Sequence, residues 1–153
     1  MAKNVFYELE KLYNEIDQSL TKKELESRRR RHSRKEQFYQ KRRELNDQAF
    51  FLYMFTRLED HIRVESIALI EHQYNTLTNW ANKRVWDILY PRREDGITFM
   101  NRVGLLVAVG QAHYNKINTY YKQRNKVAHG GLATISMPTV ISDMKVLYKA
   151  VKA

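Results

Sequence analysis

Arg124, Asn125 and His129 stand within six residues of one another, and side chains of these types can break a phosphodiester without a metal ion. Metal-free RNA cleavage needs a base for the ribose 2′-hydroxyl, positive charge for the phosphorane and an acid for the leaving oxygen. Histidine titrates near neutral pH and serves as base or acid, while arginine stays charged and grips phosphate through two parallel hydrogen bonds. The spacing sets a condition. On a continuous helix, five residues separate two side chains by roughly 140° and about 7.5 Å, so Arg124 and His129 do not share a face. Either the helix breaks near Arg124, or a second copy of the chain brings two Arg and two His together across a two-fold axis. We carry the dimer forward as the expectation. Both residues also have ordinary explanations, Arg124 as a helix-end cation and His129 as a side chain favoured near the negative end of a helix dipole.

Around the motif, Lys126, with Lys116 and Lys122 beside it, adds positive charge for a phosphate backbone. Tyr120 and Tyr121 precede it by one turn. Tyr121 fits the apolar stripe, which leaves Tyr120 as the ring expected to be exposed and to stack on a base. Other chemistries find little support. The chain has no cysteine, so thiolate zinc sites, disulfides and a cysteine nucleophile are excluded, and a reducing compartment suits it. His32, His61, His72 and His113 form no HExxH pair or matched carboxylate cluster and are expected on the surface or in structural roles. Glu59, Asp60 and Glu65 have the ordinary spacing of a solvated helix face. No metal and no cofactor are expected.

The formal net charge is +10, and residues 22–43 hold eleven Lys or Arg against three Glu, which is 11 − 3 = +8 of it. Between Leu25 and Phe38 there is no apolar residue, so this stretch is expected to be a basic arm, a solvated helix or a mobile segment. RNA is its expected partner, with Arg28, Arg29, Arg30, Arg31, Arg34 and Lys35 on the phosphates. A solvated helix and a docking segment for an acidic protein are the alternatives. The N-terminus lacks a continuous apolar run and no stretch approaches the length of a membrane span. A cytoplasmic protein with no membrane contact is expected.

The elements that must position these residues follow from periodicity. Five glycines, two prolines and apolar steps of three and four predict an all-α chain. Val5, Leu9, Leu12, Ile16 and Leu20 line one face of a first helix, and Thr21 to Glu24 has the form of a capping box, predicting a new helix or a kink there. The most hydrophobic helix spans 47–74, with Phe51, Phe55, Leu58, Ile62 and Leu69 as its buried stripe. A helix over about 76–90 presents Trp80 and Trp86 as core or interface candidates. One helix is then predicted from about Thr98 through the motif, stopping at Gly130-Gly131, with Gly104 and Gly110 admitting a close neighbour. A loop containing Pro138 leads to a last helix with Ile141, Met144, Leu147, Tyr148 and Val151 on one face. Residues 1–46 read as an N-terminal helix and basic arm, and 47–153 as one compact helical domain.

The pattern Arg124-Asn125-x-x-x-His129, followed by Gly130, resembles that of the HEPN domains (higher eukaryotes and prokaryotes nucleotide-binding). The hydrophobic helix before the motif, the helix after the glycine turn and the aromatic segment AFFLYMFTRLEDHI with its internal glutamate add to the likeness, which covers residues 47–152. The resemblance implies a bundle of four to five core helices and a metal-independent endoribonuclease, active as a homodimer, that leaves a 2′,3′-cyclic phosphate and a 5′-hydroxyl. It further implies that Arg124 and His129 form the catalytic pair and that Asn125 orients the histidine or the phosphate. Many relatives are toxins or antiviral effectors, which implies a regulatory or antitoxin protein as a partner. Some toxin members carry a tyrosine two residues after the histidine as a target for nucleotidyl transfer; Gly131 stands there in this chain. The alternative is a non-catalytic member of the fold that binds RNA or protein.

Overall fold

The structure, a computed structural model, describes residues 4–153. Among these residues there are six α-helices and no strand, an all-α fold as expected. The helices are α1 (Val5–Arg29), α2 (Ser33–Thr76), α3 (Trp80–Leu89), α4 (Phe99–Leu106), α5 (Ala112–Ala128) and α6 (Met137–Ala150), with a short 3-10 turn at Tyr90–Arg92. Two compact units can be distinguished, Met1–Phe55 with Gln123–Lys145 and Thr56–Lys122 with Val146–Ala153. The divisions fall inside α2, α5 and α6, and α2 also runs without interruption through residues 46 and 47.

In the first unit, the Asn4 side chain caps α1 by accepting from the Phe6 amide at 3.0 Å. The helix then continues through Thr21, so the helix start or kink expected there does not form. Glu24 explains why. Its carboxylate is turned into the seam with α2, where it accepts from Arg43 Nη1 at 3.0 Å, from Gln40 Nε2 at 3.3 Å and from Arg28 Nη2 at 3.3 Å, so it does not reach back to an amide. The same seam holds Arg43 Nε on Asp17 Oδ1 at 3.1 Å and the Tyr13 hydroxyl donating to Asp47 Oδ1 at 2.7 Å. The Arg43 hydrogen bond holds the Glu24 carboxyl below the usual carboxylate range against the opposing effect of burial, and burial first, then Asp47, pushes the Tyr13 phenol up. The apolar core of this unit comprises Phe6, Phe51, Met54, Phe55, Val140, Ile141 and Met144.

In the second unit the buried positions include Leu58, Ile62, Ile70, Val103, Ile117 and Leu147. Leu69, expected in the buried stripe of α2, is half-buried, and Ile70 takes the place beside it. The single helix expected from Thr98 to the motif is two helices. Val107 adopts an extended conformation that ends α4, and Gly110, at φ +79°, supplies a left-handed residue in the turn before α5. Gly104 permits the fold-back that follows, since a Cβ there would meet Val109 Cγ2 at 3.0 Å. α3, capped by Asn79, has no buried residue, and Trp80 is 71% exposed, which removes it from the core. Pro138, expected in a loop, is the second residue of α6, where a missing amide hydrogen leaves no helical bond unmade.

One buried charge organises this unit. Arg102, 5% exposed, donates to Ser66 Oγ at 3.0 Å and to the Arg93 and Glu94 carbonyls at 2.8 and 3.1 Å, and burial pulls its pKa down. It ties the loop after α3 to α2. His61 is likewise structural, with Nε2 3.1 Å from the Tyr148 carbonyl oxygen and its ring stacked on Tyr148 at 3.9 Å.

Candidate nucleic-acid interface

The motif occupies the last turns of α5 and its cap. α5 is regular through Arg124 and ends at Ala128, so no break occurs at Arg124. Arg124 is half-buried and donates from Nη1 to Asn125 Oδ1 at 3.1 Å. The Asn125 side chain is thus in contact with the guanidinium. His129 is exposed and is the C-cap residue; its amide donates to the Asn125 carbonyl at 3.1 Å.

Beyond it the chain turns through Gly130 at φ +84°. The Gly131 amide donates to the Lys126 carbonyl at 2.9 Å and the Gly130 amide to the Val127 carbonyl at 3.0 Å, the paired bonds of a Schellman cap. The helix therefore stops where the glycines predicted. A Cβ at Gly131 would lie 2.9 Å from the Lys126 carbonyl oxygen, so this position has no room for a side chain in this conformation.

Two glutamines that sequence reasoning did not single out hold the strand of chain after the cap. Gln48 of α2 exchanges two hydrogen bonds with Ala133, accepting from its amide at 2.8 Å and donating to its carbonyl at 3.0 Å, while Gln123 accepts from the Thr134 amide at 3.0 Å. Both glutamines stand among polar neighbours, Asn46 and Asp47 in one case and Lys122 and Arg124 in the other, so the sequence offers no signal for such a clamp.

The basic segment is the tip of a helical hairpin rather than a free arm. α1 ends at Arg29, the chain reverses through residues 30–32, and α2 begins at Ser33. This turn is also a Schellman cap, with His32 donating to the Ser27 carbonyl at 2.9 Å and Arg31 to that of Arg28 at 3.0 Å. Arg31 takes the left-handed position, φ +56°, which glycine or asparagine fills at lower cost. Arg28, Arg29, Arg30, Arg31, Arg34 and Lys35 are all exposed, but they are not equivalent. Arg28 is committed to carboxylates, with Nε 2.7 Å from Glu36 and Nη2 3.3 Å from Glu24. Beside the turn, Lys23, Arg30, His32, Lys35, Ser27 and Tyr39 line, with Glu26, a recess of about 110 Å³ in which four basic side chains converge.

Tyr120 corrects the expectation made for it. It is 9% exposed and packs inward, while Tyr121 is the half-buried ring and lies 4.8 Å from Phe99. A base cannot stack on Tyr120 in this conformation. Lys126 is exposed on the last turn. Among the described residues no group of three or more His, Asp or Glu side chains is placed to hold a metal ion, and no helix is long and apolar enough to cross a membrane. No protein-family model, no curated protein and no solved structure matches the chain.

Proposed function

We propose that the protein is a metal-independent endoribonuclease of the HEPN type, active as a homodimer and serving as a toxin or phage-defence effector in the cytoplasm. One observation carries the reading: an exposed histidine at the capped end of α5, five residues beyond an arginine whose guanidinium is held by the neighbouring asparagine, in a unit that also contains a strongly basic hairpin tip. In the proposed reaction, His129 of one subunit takes the 2′-hydroxyl proton as the 2′-oxygen bonds to phosphorus. The bond from phosphorus to the 5′-oxygen breaks, and His129 of the other subunit supplies the proton that oxygen needs. Arg124 from each subunit stabilises the charge on the phosphorane. The hairpin tip captures substrate away from the chemistry, with Arg30, Lys35 and His32 around the recess as phosphate contacts.

The test is the chemistry of the ends. Labelled RNA incubated with the protein and a chelator is expected to yield 2′,3′-cyclic phosphate and 5′-hydroxyl termini. Binding without cleavage supports instead a non-catalytic RNA-binding module, and 5′-phosphate ends point to a different nuclease mechanism.

A further inference from the structure

The α1–α2 hairpin is built inside out. Its seam is polar, closed by Arg43 on Asp17 and Glu24 and by Tyr13 on Asp47, while several of its larger apolar side chains face outward. Phe38 is 50% exposed and Leu45 52% exposed. Together with the half-buried Ile16 and Leu20 they line a groove of about 630 Å³ that also contains Asn46, Arg42 and Lys41, the last paired at its rim with Glu44 at 2.9 Å. Arg42 lies over the Phe38 ring at 4.6 Å. Leu12 continues the row on α1 at the same four-residue step and is 48% exposed. Two helices that place the Arg43 ion pairs in their seam and leave Leu12, Phe38 and Leu45 about half exposed present the surface of an unfinished bundle.

We propose that this groove docks an acidic amphipathic helix of a partner protein, which sets its apolar side chains on Phe38, Leu45, Ile16 and Leu20 and its carboxylates against Lys41 and Arg42. Charge selects this occupant. A second copy would bring two segments of +8 together, residues 22–43 in each, and like charge at an interface opposes association. RNA is disfavoured by the mostly apolar floor of Ile16, Leu20, Phe38 and Leu45, in which Asn46 is the one uncharged polar side chain. A helix in a groove with apolar anchors at i, i+3 and i+7 matches both the floor and the rim. The proposal does not depend on RNA cleavage, since the groove uses none of the residues assigned to the chemistry.

The probe is a labelled, end-blocked peptide of three heptads with leucine at each a and d position and glutamate elsewhere, titrated against the full chain by fluorescence anisotropy. Saturable binding is expected, weakened about tenfold or more by Leu45→Glu and by Phe38→Glu, and several-fold by the pair Lys41→Glu and Arg42→Glu with a flatter salt dependence. Both apolar positions are half exposed, so these variants should fold; the milder Leu45→Ser, checked by circular dichroism, guards against a variant that does not. No saturable binding, equal binding of a peptide with lysine in place of glutamate, or unchanged affinity in folded Leu45→Ser and Phe38→Glu variants overturns the proposal. So does a dimer, seen by sedimentation, that Leu45→Glu dissociates, or a uridine oligonucleotide whose binding is abolished in the same variant; these outcomes assign the groove to a second copy or to RNA.

Discussion

His129 is exposed and capped by backbone bonds that use none of its ring atoms. Replacing it by alanine should therefore leave the fold intact and remove only chemistry, with a rate loss of about 10²- to 10⁴-fold, the usual worth of general acid–base catalysis. Single-turnover cleavage of a defined RNA checks this. The hairpin cations divide into two classes. Changing Arg30, Arg34 and Lys35 together to glutamine should lower RNA affinity and reduce the slope of log affinity on log salt by about 0.7 for each single-strand phosphate that is no longer neutralised. Arg28→Gln should change that slope less, because its guanidinium is held by Glu24 and Glu36. Equal slopes for the two sets would show that the ion pairs yield to RNA. The residues of the motif were visible in the sequence because their chemistry is local. Tyr120 and Tyr121 lie three and four residues after the buried Ile117, so both fit one helical stripe and spacing alone does not choose between them; the structure turns Tyr120 inward.

The two helix caps in the first unit share one hydrogen-bond pattern but differ in the residue at the left-handed position, Gly130 in one and Arg31 in the other. Gly130→Ala should lower stability by about 1 kcal/mol, the cost of a left-handed backbone with a Cβ, and Arg31→Gly should raise it by up to about 1 kcal/mol while weakening RNA binding. Urea denaturation paired with RNA titration measures both halves, and a more stable Arg31→Gly variant with unaltered RNA affinity would show that the strain serves no binding role. The hairpin seam makes a pH-dependent contribution. Glu24 is held below its ordinary pKa chiefly by Arg43, so its stabilisation is present above the unfolded carboxylate pKa and is lost as pH falls through the lower folded value. The urea midpoint of Glu24→Gln should accordingly depend less on pH than that of the parent between about pH 6 and 3. The buried stripe of α6 and the stop at Gly130 were legible from apolar spacing and glycines, whereas the start of α6 ahead of Pro138 was not. The continuity of α1 through Thr21 was not, because what overrides the capping box is a set of ion pairs between residues 19 apart and less, Glu24 with Arg43 among them.

At the scale of the molecule, the charge distribution read from the sequence became a place: +8 of the +10 lies in residues 22–43, which form the tip of one helical hairpin and the turns on either side. The all-α class was legible from composition and period. The separation into two units was not, since three helices pass through the divisions and leave no linker of altered composition. A regular α5 leaves Arg124 and His129 on different faces, so the proposed site requires two chains. Adding excess His129→Ala subunits to the parent should then lower its cleavage rate, because a mixed dimer lacks one of the two histidines the proposed reaction uses. The proposed chemistry at α5 is tested most directly by one comparison: cleavage of labelled RNA in excess chelator by the parent and by His129→Ala, with sedimentation and circular dichroism showing that the variant keeps its fold and assembly. The predicted result is cyclic-phosphate ends from the parent and a loss of rate of about 10²-fold or more in the variant. Full cleavage by a folded, dimeric His129→Ala would contradict the account.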